Sequence, residues 1–98
     1  MDGRYVKNFR ISARHKKNNL EVNLAGDFDG TSVFELIQVL NKKNRGYSKA
    51  IVNTDSLKKV LPFGRDVLQK NLSYLQKKTC IEFYGNKANE LSKESWEL

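Results

Sequence analysis

Apolar and polar residues alternate along the first part of the chain. Tyr5, Lys7, Phe9, Ile11 and Ala13 fall on one side of an extended segment and Val6, Asn8, Arg10 and Ser12 on the other, which predicts a half-buried strand over 5–13. The polar run HKKNN follows, and then Leu20, Val22 and Leu24 alternate with Glu21 and Asn23. Two alternating strands joined by a short polar loop pair most readily as an antiparallel hairpin. AGDFDGTS breaks this alternation with two glycines and two aspartates, and Thr31 or Ser32 is placed to cap a helix. Through SVFELIQVLNKKN, the residues Val33, Leu36, Ile37 and Leu40 recur at helical spacing, with Gly46 just beyond the end.

Ala50, Ile51 and Val52 form a continuous apolar run with a β-branched bias, as expected of a central strand buried on both faces. NTDSLKKVLPFG is expected to turn away from that strand. Pro62 suits a helix start, where no amide partner is needed, and Val67, Leu68, Leu72 and Leu75 supply one apolar stripe for a second helix. TCIEFYG reads as the last strand, with Ile81 and Phe83 on one face and Gly85 ending it. The segment 86–98, NKANELSKESWEL, carries Leu91 and Trp96 without a full stripe, so it either forms a short helix or frays. Strand, strand, helix, strand, helix, strand defines an α/β layer structure: a small mixed sheet of about four strands covered by two to three helices.

Ninety-eight residues suffice for one core, so the chain is read as a single domain over 1–98. With 39% hydrophobic and 30% charged residues, the composition is that of a globular chain and excludes a disordered one. A formal charge of +7 raises the alternative of a basic nucleic-acid-associated module. The basic residues, however, lie in short separate runs at Arg14 to Lys17, Lys42–Lys43, Lys58–Lys59 and Lys77–Lys78. The runs at Lys42 and Lys77 fall in last helical turns, where cations complement the helix dipole. Cys80 has no second cysteine to pair with, which fits a reducing compartment, and its place in an apolar strand pattern predicts a small buried filler. No apolar run approaches the roughly 18 residues that span a bilayer. The start MDGRYVKNFR has no apolar signal region, so the expected location is cytoplasmic, without membrane insertion.

Two segments carry a resemblance. LEVNLAGDFDGTSVFELIQVL resembles the second strand, loop and first helix of STAS domains, the fold shared by bacterial anti-sigma-factor antagonists and the cytoplasmic parts of sulfate transporters. The family's strand ends in Gly, any residue, an apolar residue and Asp, and here the residues are Gly26, Asp27, Phe28 and Asp29. AIVNTDSLKKVLPFGRDVL is similar to the family's central strand and the loop that presents a phosphorylatable serine at the next helix. Where the family commonly has Asp, Ser, Ser, Gly, this chain has Leu61, Pro62, Phe63 and Gly64, and Asn53 replaces the acidic residue that often closes the strand. The likeness covers roughly 9–85, leaving 86–98 as a short tail or helix.

The resemblance implies a non-catalytic protein-binding module whose partner is an anti-sigma-factor or kinase-like protein, with Asp29, Pro62, Phe63, Gly64, Arg65 and Asp66 at the docking surface. Neither Pro62 nor Phe63 has a hydroxyl to phosphorylate. Phe63 either packs beneath the helix as core or stands exposed as an apolar anchor. Asp29 either shapes the docking surface or forms an Asx-type turn before the first helix. Ser32 and Ser56 offer other hydroxyls, although a serine in such positions caps a helix or closes a turn more often. His15 is the only histidine, Asp27 and Asp29 share one short loop, and GDFDG lacks the ligands of a calcium loop. No enzyme activity, metal or cofactor is therefore expected.

Overall fold

The computed structural model describes residues 8–42, 47–78 and 80–91. Tyr5 to Lys7, Gly46 and Trp96, which entered the sequence reading, lie outside the described residues. The elements are β1 (Phe9–Lys16), β2 (Asn19–Phe28), α1 (Gly30–Lys42), β3 (Lys49–Val60), α2 (Pro62–Lys78), β4 (Cys80–Tyr84) and α3 (Ala88–Leu91). Four strands form one mixed sheet in the order β1-β2-β3-β4; β1 and β2 are antiparallel, and β3 is parallel to both β2 and β4.

The first hairpin is tighter than the polar run suggested. His15 and Lys16 still pair with Leu20 and Asn19, leaving Lys17 and Asn18 as a two-residue turn. Such loops favour backbone with positive φ, and Lys17 adopts φ 58°. The amide of Ser48 donates to the Asn18 carbonyl (2.6 Å), which ties the turn to the approach to β3.

The helices pack on one face of the sheet. Leu20, Val22, Leu24 and Phe28 of β2 and Ala50, Val52 and Leu57 of β3 meet Val33, Leu36 and Leu40 of α1 and Leu68, Leu72 and Leu75 of α2 in one apolar cluster. Alternate strand residues point to the opposite face, which no described helix crosses. This corrects the expectation for Ala50–Val52: Ile51 is only half-buried, because the sheet is covered on one side alone. Cys80 is corrected for the same reason. It pairs with Lys49 at the start of β4 on the uncovered face and is exposed rather than a buried filler.

β3 runs through the segment expected to turn away. Asn53 pairs with Asn23 and Ser56 with Ala25, so Thr54 and Asp55 together oppose Leu24 in a β-bulge. A second shift leaves Lys58 as an extra residue before Lys59 pairs with Asp27. The first insertion puts the buried Thr54 and Leu57 three residues apart, which erases the period-two signal of a strand. β2 likewise continues through Phe28, so AGDF belongs to a strand and not to a loop.

The first bulge also anchors the C-terminal segment. Thr54 Oγ1 donates to the Tyr84 carbonyl (2.8 Å) and accepts from the Lys87 amide (3.0 Å), while Asp55 Oδ1 accepts from the Asn86 amide (2.8 Å). Gly85, at φ +105°, lies so close to Asp55 and Thr54 that a Cβ there would stand 2.7–2.9 Å from their atoms. The tail therefore begins as a short helix, α3, whose Leu91 is fully buried.

Candidate functional site

β2 and β3 finish side by side. Phe28 pairs with Val60, and the Leu61 amide donates to the Phe28 carbonyl (2.9 Å). Each strand passes through one residue, Asp29 or Leu61, into a helix. Because the strands are parallel neighbours, the N-termini of α1 and α2 are brought together at one end of the sheet.

Asp29, and not Thr31 or Ser32, is the cap of α1. Its Oδ1 accepts from the Ser32 amide (3.0 Å), the Thr31 hydroxyl (2.8 Å) and the Ser32 hydroxyl (3.1 Å), and its own amide donates to Ser32 Oγ (3.0 Å). This is a reciprocal capping box with serine in place of the usual Glu or Gln. Partial burial raises the Asp29 carboxyl pKa, but the hydrogen bonds from Thr31 and Ser32 outweigh it and hold the carboxyl below its ordinary value. The stabilisation from this lowered pKa is present above the unfolded carboxyl value, about 3.9, and is lost as pH falls through the lower folded value. Asp29→Ala should cost about 1 kcal/mol at neutral pH, read from urea unfolding. Asp29→Asn should retain most of the cap while flattening the acid limb of the stability curve.

α2 starts differently. Leu61 has no side-chain oxygen, its carbonyl accepts the Arg65 amide (3.0 Å), and Pro62 occupies the first helical position as expected. Phe63 is 70% exposed, so of its two readings the core one is overturned. At 100° per residue it stands about 180° around the helix from the buried Leu72, on the side away from the sheet. Its ring edge lies on Gly30, where a Cβ would be 2.7–2.8 Å from Phe63 Cε2 and Cδ2. Gly64 is buried against the Asp29 backbone, with a Cβ there 2.7–2.9 Å from the Asp29 Cα, carbonyl carbon and oxygen. Two glycines, one on each helix, thus permit the close approach.

The structure therefore brings Asp29, Phe63 and Gly64 into direct proximity, with exposed Pro62 beside them. Arg65 is half-buried in the first turn; Asp66 is exposed and falls one residue past it. Two members escaped the sequence reading. Gly30 is the floor under Phe63, and Phe34, one turn further along the same face of α1, is 57% exposed. Phe34 lies off the Val33, Leu36, Ile37, Leu40 stripe, and that offset is the signal that could have marked it.

Ser32 is fully buried inside the α1 cap, and Ser56 is exposed on β3, away from the helix starts. His15 lies at the end of β1, its ring 6.1 Å from that of Tyr47. Among the described residues, no group of three or more His, Cys, Asp or Glu is arranged to hold a metal. No helix formed by them is long and apolar enough to cross a membrane.

A mixed four-stranded sheet with three helices, two of them starting together at the ends of neighbouring parallel strands, is the SpoIIAA-like or STAS fold. No family model matches the sequence, and no curated protein matches it. Solved structures do match in three dimensions. SpoIIAA, an anti-sigma factor antagonist, in its unphosphorylated form superposes with TM-score 0.52 at 14% identity over 76% of this chain and 70% of its own. A DUF3478-family protein with a SpoIIAA-like fold from Shewanella loihica PV-4 gives 0.55 at 13% identity, over 88% of this chain and 72% of that one. A structure of Mglu gives 0.67 at 13% identity over 78% of this chain, and the match spans only 19% of the Mglu chain. At these identities the likeness establishes the fold.

Proposed function

We propose that this chain is a non-catalytic protein-binding module of a bacterial partner-switching or related signalling pathway, acting in the cytoplasm in the manner of an anti-sigma-factor antagonist. Its partner in this reading is an anti-sigma-factor or kinase-like protein, docked on Asp29, Pro62, Phe63, Gly64 and Arg65, with Asp66 at the margin. The observation that carries the reading is Phe63: a large apolar side chain left 70% exposed at the junction of two helix starts, resting on Gly30. Exposed aromatics on a rigid base suit the role of an interface anchor, because little conformational freedom is lost when they are buried. Leu61, Pro62, Phe63 and Gly64 offer no hydroxyl, which supports a contact that is permanently uncharged rather than toggled by a kinase.

The test is affinity capture from the native cytoplasm with wild type and Phe63→Ala. Wild type should recover a kinase-like anti-sigma factor. The variant should bind about tenfold or more weakly, as for a hot-spot aromatic, with its Tm close to wild type. Salt-sensitive recovery of nucleic acid alone would replace this reading with the basic-module alternative.

A further inference from the structure

The uncovered face of the sheet holds a concavity of about 240 Å³, lined by residues 10–12 of β1, 23–25 of β2 and Ser56 of β3. The bulge at Thr54 and Asp55 breaks the ladder opposite Leu24 and brings Ser56 level with Ala25 at this hollow. Ala25 is the small side chain of the uncovered face at this point, and no acidic residue lines the hollow.

Three of the four polar side chains that line it have no partner among the described residues. The side chains of Arg10, Ser12 and Ser56 form no hydrogen bond or ion pair among the described residues, whereas the neighbouring cations Arg14 and Lys16 are paired with Glu21 at 3.1 and 4.0 Å, and Lys49 with Glu82 at 3.4 Å. Asn23 is oriented by Asn53, whose Nδ2 donates to Asn23 Oδ1 (3.1 Å), so the Asn23 amide nitrogen remains as a donor. Arg10, Ser12, Asn23 and Ser56 thus stand among the residues that line the hollow, beside the apolar Ile11, Leu24 and Ala25.

We infer that this concavity binds a small hydroxylated carboxylate. A guanidinium accommodates a carboxylate through two parallel charge-assisted bonds, and one positive charge balances one negative charge. A phosphate dianion would be left half-neutralised here. The hydroxyls and the Asn23 amide match further oxygens on the ligand. At about 240 Å³ the hollow falls below the roughly 300–1,000 Å³ of pockets that hold drug-sized ligands, which suits a compact organic acid. The site lies on the opposite side of the sheet from the packed helices and stands or falls separately from docking at Phe63.

The experiment is an NMR titration of the ¹⁵N-labelled protein with sodium 3-hydroxybutyrate, sodium phosphate and sodium chloride at matched ionic strength. Saturable shifts with 3-hydroxybutyrate are expected at the amides of 10–12, 23–25 and 56 and at Arg10 Nε, with phosphate and chloride producing only gradual drift. Arg10→Met should weaken binding by about tenfold to a hundredfold, the usual effect of removing a charged hydrogen-bond partner. Ala25→Phe should abolish binding by filling the hollow, with the dispersion of the remaining spectrum reporting that the variant is folded. Shifts that fail to saturate, saturation by phosphate alone, or undiminished binding by Arg10→Met would each overturn the inference.

Discussion

Replacing Phe28 by alanine is expected to remove about 3–5 kcal/mol of stability. Phe28 is the largest fully buried side chain among the described residues and the last residue of β2, and it meets Phe9 of β1 edge-on with ring centroids 5.9 Å apart. The cavity would open where three constraints converge: the edge of β1, the Phe28–Val60 pairing and the Leu61 bond to the Phe28 carbonyl. Domains of this size are stable by only about 5–15 kcal/mol, so the substitution consumes a large share of the total. Equilibrium unfolding in urea should show the loss as a lower midpoint with little change in slope, and Tm should fall by at least about 12 °C. A loss below about 1 kcal/mol would mean that the neighbouring side chains close the space, and that Phe28 does not hold the helix starts in place.

Gly64→Ala should be the next most damaging change, by about 2 kcal/mol, against the usual sign for a glycine in a helix. In an open helix the added methyl would help by up to about 1 kcal/mol through propensity. Here it would stand 2.7–2.9 Å from three backbone atoms of Asp29, and backbone cannot swing aside as a side chain does. α2 must therefore move off the α1 cap, which should lower Tm by roughly 10 °C and perturb the amides of Asp29 and Ser32 in the NMR spectrum. Gly30→Ala is the matched control. Its methyl would meet only the Phe63 ring, which can rotate outward, so stability should change little while the ring is displaced. Equal losses for the two variants would show that the glycines are there for a reason other than this contact.

The helices were legible because their apolar positions keep one period throughout. Val33, Leu36 and Leu40 are buried as their spacing predicts, as are Leu68, Leu72 and Leu75, and Pro62 marks the start of α2. The strands were legible only while alternation held. Past Asn53, one extra residue shifts the buried set to Thr54 and Leu57 and a second, Lys58, follows, and exposed Asp55, Ser56, Lys58 and Lys59 read as a loop because one face of the sheet has no cover. The same uncovered face misled the reading of Ile51 and Cys80. At the candidate site, Asp29, Pro62 and Gly64 could be singled out from local chemistry and resemblance. The seating of Phe63 on Gly30 could not, since it joins residues 33 apart in sequence through the parallel pairing of β2 with β3.

The clasp at Thr54 and Asp55 has a mechanical meaning. Four residues of α3 are too few to sustain a helix alone, so the order of 85–91 is borrowed from hydrogen bonds to an irregularity in the central strand and from burial of Leu91. Tension on the C-terminal segment would thus be delivered to the middle of β3 and not to an outer edge. Six residues further along, that same strand hands the chain over to Pro62 and the mouth of α2.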